Sequence, residues 1–190
     1  GESKLIGEWL IRDQARSVPL RHTSLRYFNV VGSAHDEVYD SSAHNLFPLV
    51  LKALTDGRTP RINGGDYPTA DGTCVRDYIH VEDLAAAHLS ALDYLDRGGA
   101  STTLNCGYGH GYSVREVVKM VEHINGGRSL PVVESPRRAG DPPSLVAHAE
   151  RIREVLGWAP RLDDLEKIVR HQLAWEYRLQ SEPALTRNQP

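Results

Sequence analysis

Two arginine motifs carry the most directed chemistry in this sequence: Arg76 in V-R-D-Y-I-H-V and the pair Arg137 and Arg138 in P-R-R-A-G-D. A planar guanidinium donates two parallel, charge-assisted hydrogen bonds to adjacent oxygens, so arginines are natural clamps for a diphosphate. On composition alone the commoner role of such residues is a surface or structural ion pair, and both readings stand. A third motif, G-Y-G-H-G at 107–111, lies between a predicted strand and a predicted helix, where backbone N–H groups could meet a phosphate. Its G-x-G-x-G spacing is one residue short of the dinucleotide fingerprint. The expected role is therefore a strand-to-helix connection facing a ligand cleft, or simply a turn.

Other chemistries find little support. The nine histidines include no H-E-x-x-H and no other close ligand pair, so no metal is expected. No G-x-S-x-G elbow suggests a serine hydrolase. Cys74 and Cys106 are the only cysteines and are far apart, which suggests neither a disulfide framework nor a zinc site and fits a reduced, cytoplasmic setting. With 22 basic and 25 acidic residues in short mixed runs, the chain has no concentrated basic field, and nucleic acid is not an expected partner. A membrane is not expected either, because no apolar run approaches the roughly 18 residues of a span and no basic-then-apolar leader is visible.

The elements that must position these motifs follow from apolar spacing and caps. Leu5, Ile6, Trp9 and Leu10 predict a helix to about Ser17, stopped by Pro19. His22 to Asn29 reads as one strand, and 30–43 as a loop rich in Gly, Ser, Asp and His. Asn45 would cap a helix carrying Leu46, Leu49, Val50 and Leu54, ending at Gly57. Arg61 to Asn63 is extended and precedes a turn region whose Gly, Pro and Asp exclude regular structure. Val81 to Leu95 reads as a helix with Glu82 and Asp83 in its first turn, where carboxylates suit the helix dipole.

Further on, Thr103 to Cys106 is a predicted strand. Ser113 and Glu116 form a capping box for a helix buried through Val114, Val117, Val118, Val121 and Ile124. Leu130 to Glu134 reads as a strand and 136–143 as a loop. A short helix ends at Gly157, and a last one is buried through Leu165, Ile168, Val169 and Leu173, followed by a polar tail from about Gln180. Strands separated by helices predict an α/β arrangement with at least one parallel pair. No βαβ unit with G-x-G-x-x-G and a following acid is present.

The order of motifs resembles the C-terminal part, somewhat more than half, of the NAD-dependent sugar-nucleotide epimerases of the extended short-chain dehydrogenase/reductase family, and within it the UDP-hexose 4-epimerases. The residues that carry the resemblance are G-E-S-K-L-I-G-E at 1–8, L-R-Y-F-N-V-V-G at 25–32, N-L-F-P at 45–48, G-D-Y-P-T-A-D-G-T-C-V-R-D-Y-I-H-V-E-D-L at 65–84 and R-R-A-G-D-P-P at 137–143.

That resemblance implies a fold and a role for each matching residue. The fold would be the C-terminal part of a Rossmann-like enzyme: residues 1–30 a remnant of the NAD-binding domain, 31–178 mainly a small α/β UDP-sugar domain and 179–190 a tail. Lys4 matches the lysine of Y-x-x-x-K, which holds the nicotinamide ribose and lowers the pKa of a catalytic tyrosine that would stand just before Gly1. A fragment or domain lacking the glycine motif, inactive alone, is thus expected. Tyr27 would lie beside the nicotinamide, and Asn29 would contact the substrate diphosphate. Asn45 and Leu46 match contacts to the UDP end, Arg61 and Asn63 flank the uracil, Arg76 and Arg138 are the diphosphate clamp, and Asp141 holds the uridine ribose. Leu145 stands where relatives tune room for a 2-acetamido group, and its size favours UDP-glucose and UDP-galactose. The full-length protein would be a homodimer, with the Lys4 helix at its interface. Two alternatives are a UDP-sugar-binding module without catalysis and a related nucleotide-sugar dehydratase or decarboxylase.

Overall fold

The computed structural model of the chain describes residues 1–33 and 46–181. Six helices and nine short strands alternate in it: α1 (Glu2–Ser17), β1 (Thr23–Tyr27), β2 (Asn29–Val31), α2 (Leu46–Thr55), β3 (Arg61–Asn63), β4 (Val75–Arg76), β5 (Tyr78–His80), α3 (Val81–Asp96), β6 (Thr102–Cys106), β7 (Tyr112–Ser113), α4 (Val114–Ile124), β8 (Val133–Ser135), β9 (Ser144–Leu145), α5 (Glu150–Leu156) and α6 (Leu165–Ser181). Four pairings are parallel, β1 with β6, β2 with β5, β3 with β8 and β4 with β9, while β7 lies antiparallel on the other edge of β4. Parallel partners so distant in sequence need crossovers, which the intervening helices supply. Among the described residues no helix is long and apolar enough to cross a membrane.

Where a signal is confined to a few neighbouring residues, structure and sequence agree. Ser113 Oγ accepts from Glu116 N while the Glu116 carboxylate accepts from Ser113 N, closing the capping box of α4, whose buried face is Val114, Val117, Val118 and Val121. Pro48 sits in the first turn of α2, where its missing N–H costs nothing. The capping role of Asn45 lies outside the described residues.

The predicted strand at 22–29 is instead two elements that break at Phe28, because β1 follows β6 whereas β2 follows β5. Likewise the strand expected at 130–134 is shifted to Val133–Ser135, the register that β3 imposes. Ahead of it, the Leu130 N–H is taken by the Glu122 carboxylate at 2.7 Å and Pro131 has no N–H to give a ladder. Strands β4, β5, β7 and β9 are two or three residues each, too short for any periodicity to show.

One apolar cluster runs through these elements. Phe47 of α2 packs edge-on against Tyr78 of β5, ring centroids 5.0 Å apart, and both are almost fully buried along with Leu51, Ile62, Leu104, Val117 and Ile168. By contrast, α1 buries none of its residues, and Ile6, Trp9 and Leu10 are about half exposed or more.

Two buried carboxylates tie the sheet to its loops. Asp77 is fully buried between β4 and β5 and accepts the N–H groups of Tyr108 (3.0 Å), Gly109 (3.0 Å) and Ala147 (3.2 Å). Asp83, in the first turn of α3 as expected, is also buried: it accepts from the Tyr108 hydroxyl (2.7 Å) and from the N–H groups of Arg161 and Leu162. A carboxylate out of water is tolerable only when its lone pairs are satisfied in this way.

Candidate functional site

A cleft of about 520 Å³ opens between α2, β3, β4 and the loop 136–143. The parallel pairings set its walls: Asn63 lies opposite Ser135, and Arg76 lies opposite Leu145, so the loop joining β8 to β9 is anchored at both ends beside β3 and β4. From this frame Arg138 and Asp141 enter the cleft together with Arg76, Asn63, Arg61, Asn29 and Leu46.

Arg76 is buried to 8% exposure. Its Nη1 donates to the carbonyls of Val75 (2.8 Å) and Pro142 (2.9 Å), and its Nη2 lies 3.6 Å from Asp141 Oδ1. One edge of the guanidinium is thus committed to the loop, and the rest contributes charge to the cleft. In the amide orientation that suits both partners, Asn63 Oδ1 accepts from Arg138 Nε and Nη2, each at 3.1 Å. The structural role weighed for these arginines is thus visible in their own contacts, and both guanidiniums line the cleft.

Several lining residues were not anticipated from sequence. Lys52 and Arg58 flank the entrance from α2 and the turn after it, each near Asp56, at 3.7 Å and 2.6 Å. They add positive charge to a cleft that already holds three arginines against one carboxylate, an electrostatic match for a polyanion. Their signal was the helical spacing of Lys52 from Leu49 and Ala53, which by itself points to solvent. Cys74 and Tyr78 form part of the wall, and burial raises the pKa of each, so both remain protonated and uncharged.

Three expected residues among those described are not brought into this cleft. Lys4, in the first turn of α1, is exposed, and Tyr27 is 55% exposed at the C-terminal end of parallel strand β1. Leu145 pairs with Arg76 in β9 but turns 46% of its surface to solvent and does not line the cleft. Asn45 lies outside the described residues. The glycine turn at 107–111 is no anion site, since its N–H groups at 108 and 109 already hold the Asp77 carboxylate, and a Cβ at Gly107 would stand 2.7 Å from Asp77 Oδ2. Instead of a strand-to-helix connection facing the cleft, it is the turn from β6 to β7, the two-residue strand that precedes α4, and it holds an internal anion in place of a phosphate. Among the described residues no group of His, Cys, Asp or Glu is arranged to hold a metal ion.

The fold is a parallel-stranded α/β arrangement with a cationic cleft beside its strands. The NAD dependent epimerase/dehydratase family model matches residues 1–107, and the chain belongs to that family. It is 50% identical over 184 residues to a UDP-glucose 4-epimerase of Azospirillum brasilense, covering 95% of this chain and 53% of the relative. It is 42% identical over 181 residues to one from Lacticaseibacillus casei, covering 93% and 54%. Among solved structures it superposes with TM-score 0.85 and 37% identity on a UDP-glucose 4-epimerase of Stenotrophomonas maltophila with bound NAD and formylated UDP-arabinopyranose, covering 95% and 55%. The chain spans about half the length of the relatives it matches.

Proposed function

We propose that this chain supplies the nucleotide-sugar grip of a NAD-dependent UDP-hexose 4-epimerase, which interconverts UDP-galactose and UDP-glucose through a 4-keto sugar. The observation that carries this reading is the entry of Arg76 and Arg138 into one cleft from separate segments, with Asn29, Asn63 and Asp141 beside them. Two guanidiniums spaced along a groove suit the two phosphates of UDP, and Arg61 with Asn63 offers polar edges to the base. Asp141, held by Arg76, is placed to accept from a ribose hydroxyl. Asn45 and Leu46 take the UDP end, and Leu145 the sugar side.

Lys4 and Tyr27 fit the nicotinamide end of NAD: both are accessible, and Tyr27 ends a parallel strand, where ligands of α/β sheets bind. NAD supplies the hydride acceptor and donor when bound. The role of this chain is to hold the sugar nucleotide by its diphosphate, while Lys4 orients the cofactor ribose. Residues 1–30 thus serve the NAD-binding domain and 31–178 mainly the UDP-sugar domain, in a cytoplasmic enzyme that dimerises through the exposed apolar face of α1.

The test is calorimetric titration of UDP into the protein carrying its NAD-binding half, followed by assay of UDP-galactose conversion. Micromolar UDP affinity with turnover supports the epimerase. UDP binding without turnover favours the second reading, a binding module. No UDP binding refutes the assignment of the cleft.

A further inference from the structure

Arg137 and Arg138 are neighbours that face opposite ways. Arg138 reaches Asn63 in the cleft, whereas Arg137 grips the turn after β3: its Nε donates to Asp66 Oδ1 at 2.7 Å, its Nη2 donates to the Asp66 carbonyl, and its guanidinium lies 4.5 Å from the centre of the Tyr67 ring. Tyr67 is itself 4% exposed, so the ring is a fixed platform. Gly64, at φ +82°, lets the loop come close, since a Cβ there would stand 2.8 Å from Arg137 Cγ. Loop 136–143 is also held by Arg138 on Asn63, by Asp141 beside Arg76, and near its far end, where Arg76 meets Pro142 and Val75 N donates to the Pro143 carbonyl. Of these contacts, the Arg137 clasp is the one that fastens the segment bearing Arg138 from outside the cleft.

We propose that Arg137 is a positioning residue for nucleotide-sugar binding: clasped by Asp66 and Tyr67, it sets the backbone from which Arg138 is aimed at the ligand. This rests on the reading of the cleft as a UDP-sugar site. An exposed ion pair alone contributes little, but a forked contact combined with stacking on a buried ring restricts the guanidinium to one place. Lysine cannot reproduce it, because an ammonium neither forks nor lies flat on a ring.

The test measures UDP affinity and steady-state kinetics with UDP-galactose for the full enzyme and for Arg137→Ala, Arg137→Lys, Asp66→Ala, Arg138→Ala and the Arg137→Ala/Arg138→Ala pair. Arg137→Ala is expected to raise KM and the UDP Kd roughly three- to tenfold while kcat stays within about a factor of two. Arg137→Lys should keep most of that defect, and Asp66→Ala, which attacks the same clasp from the other side, should share its direction. If Arg137 acts through Arg138, removing it from the Arg138→Ala background should change affinity by less than about twofold. An equal, additive effect in that background, a loss confined to kcat, or unchanged KM in both Arg137→Ala and Asp66→Ala overturns the proposal while leaving the cleft assignment intact. A wild-type enzyme that does not bind UDP overturns both.

Discussion

The Arg76 guanidinium and the Asp141 carboxylate stand 3.6 Å apart within the cleft, although they belong to different segments, because β4 and β9 pair in parallel just beside them. Arg76 thereby serves as the strut of the loop, through the Pro142 carbonyl, and also brings its charge to the cleft. Arg76→Ala should weaken UDP binding by roughly ten- to a hundredfold, the worth of a charge-assisted hydrogen bond. Arg76→Lys should recover little, since a compact ammonium lacks the planar fork that lets one edge of the guanidinium hold the Val75 and Pro142 carbonyls while the other faces the cleft. Calorimetry with UDP, alongside melting curves, separates lost contacts from lost fold.

Asp77 is the fixed anion inside the glycine turn, and its removal takes the acceptor from the buried N–H groups of Tyr108 and Ala147 and from the more exposed one of Gly109. Asp77→Ala should cost roughly 2–4 kcal/mol of stability, with Asp77→Asn intermediate because its amide keeps one acceptor oxygen. Urea unfolding of both variants checks this, and equal midpoints for Asp77→Ala and wild type would contradict it.

Gly32 lies against the face of His80 at φ +83°, and a Cβ there would stand 2.4 Å from the imidazole. His80 cannot retreat: its Nδ1 accepts from Glu82 N at 3.1 Å, which leaves the proton on Nε2, 3.0 Å from His171 Nδ1. Gly32→Ala therefore combines backbone strain with a clash and should destabilise by about 2 kcal/mol or more, read as a lowered melting temperature.

Burial and the nearby charge of His171 lower the pKa of His80, so the folded chain binds fewer protons there than the unfolded chain. This stability is complete above the unfolded pKa, about 6.5, and falls as the pH drops from there toward the folded value. Wild-type melting temperature should decline as the pH falls below about 6.5. His80→Gln should show a flatter profile across that window, together with a lower plateau from the lost cap.

Asp71 titrates in a more acidic window. Burial pushes its carboxyl up, but hydrogen bonds from the Ser113 hydroxyl and from the Thr73 hydroxyl and N–H outweigh burial and leave the pKa below its ordinary value. A depressed carboxylate contributes stability above its unfolded pKa that disappears as pH falls through the folded one. Asp71→Asn should be less stable than wild type at pH 7, and the difference should shrink below about pH 4.

The sequence by itself determined whatever depends on neighbours along the chain. The capping box of Ser113 and Glu116, the valine stripe of α4 and the stops at Gly57 and Gly157 are set by residues within one or two turns of each other, so spacing alone reveals them. The types of the cleft residues were legible too, because a guanidinium's fitness for a diphosphate is a property of the side chain. Only the tertiary structure decided which of these residues meet. Arg76, Arg138 and Asp141 share a cleft through the β3–β8 and β4–β9 pairings, and strands of two or three residues carry no pattern of their own. The same holds for Asp83: its place in the first turn of α3 was legible, but its partners at Tyr108, Arg161 and Leu162 arrive from remote segments and add the role of an anchor to that of dipole partner.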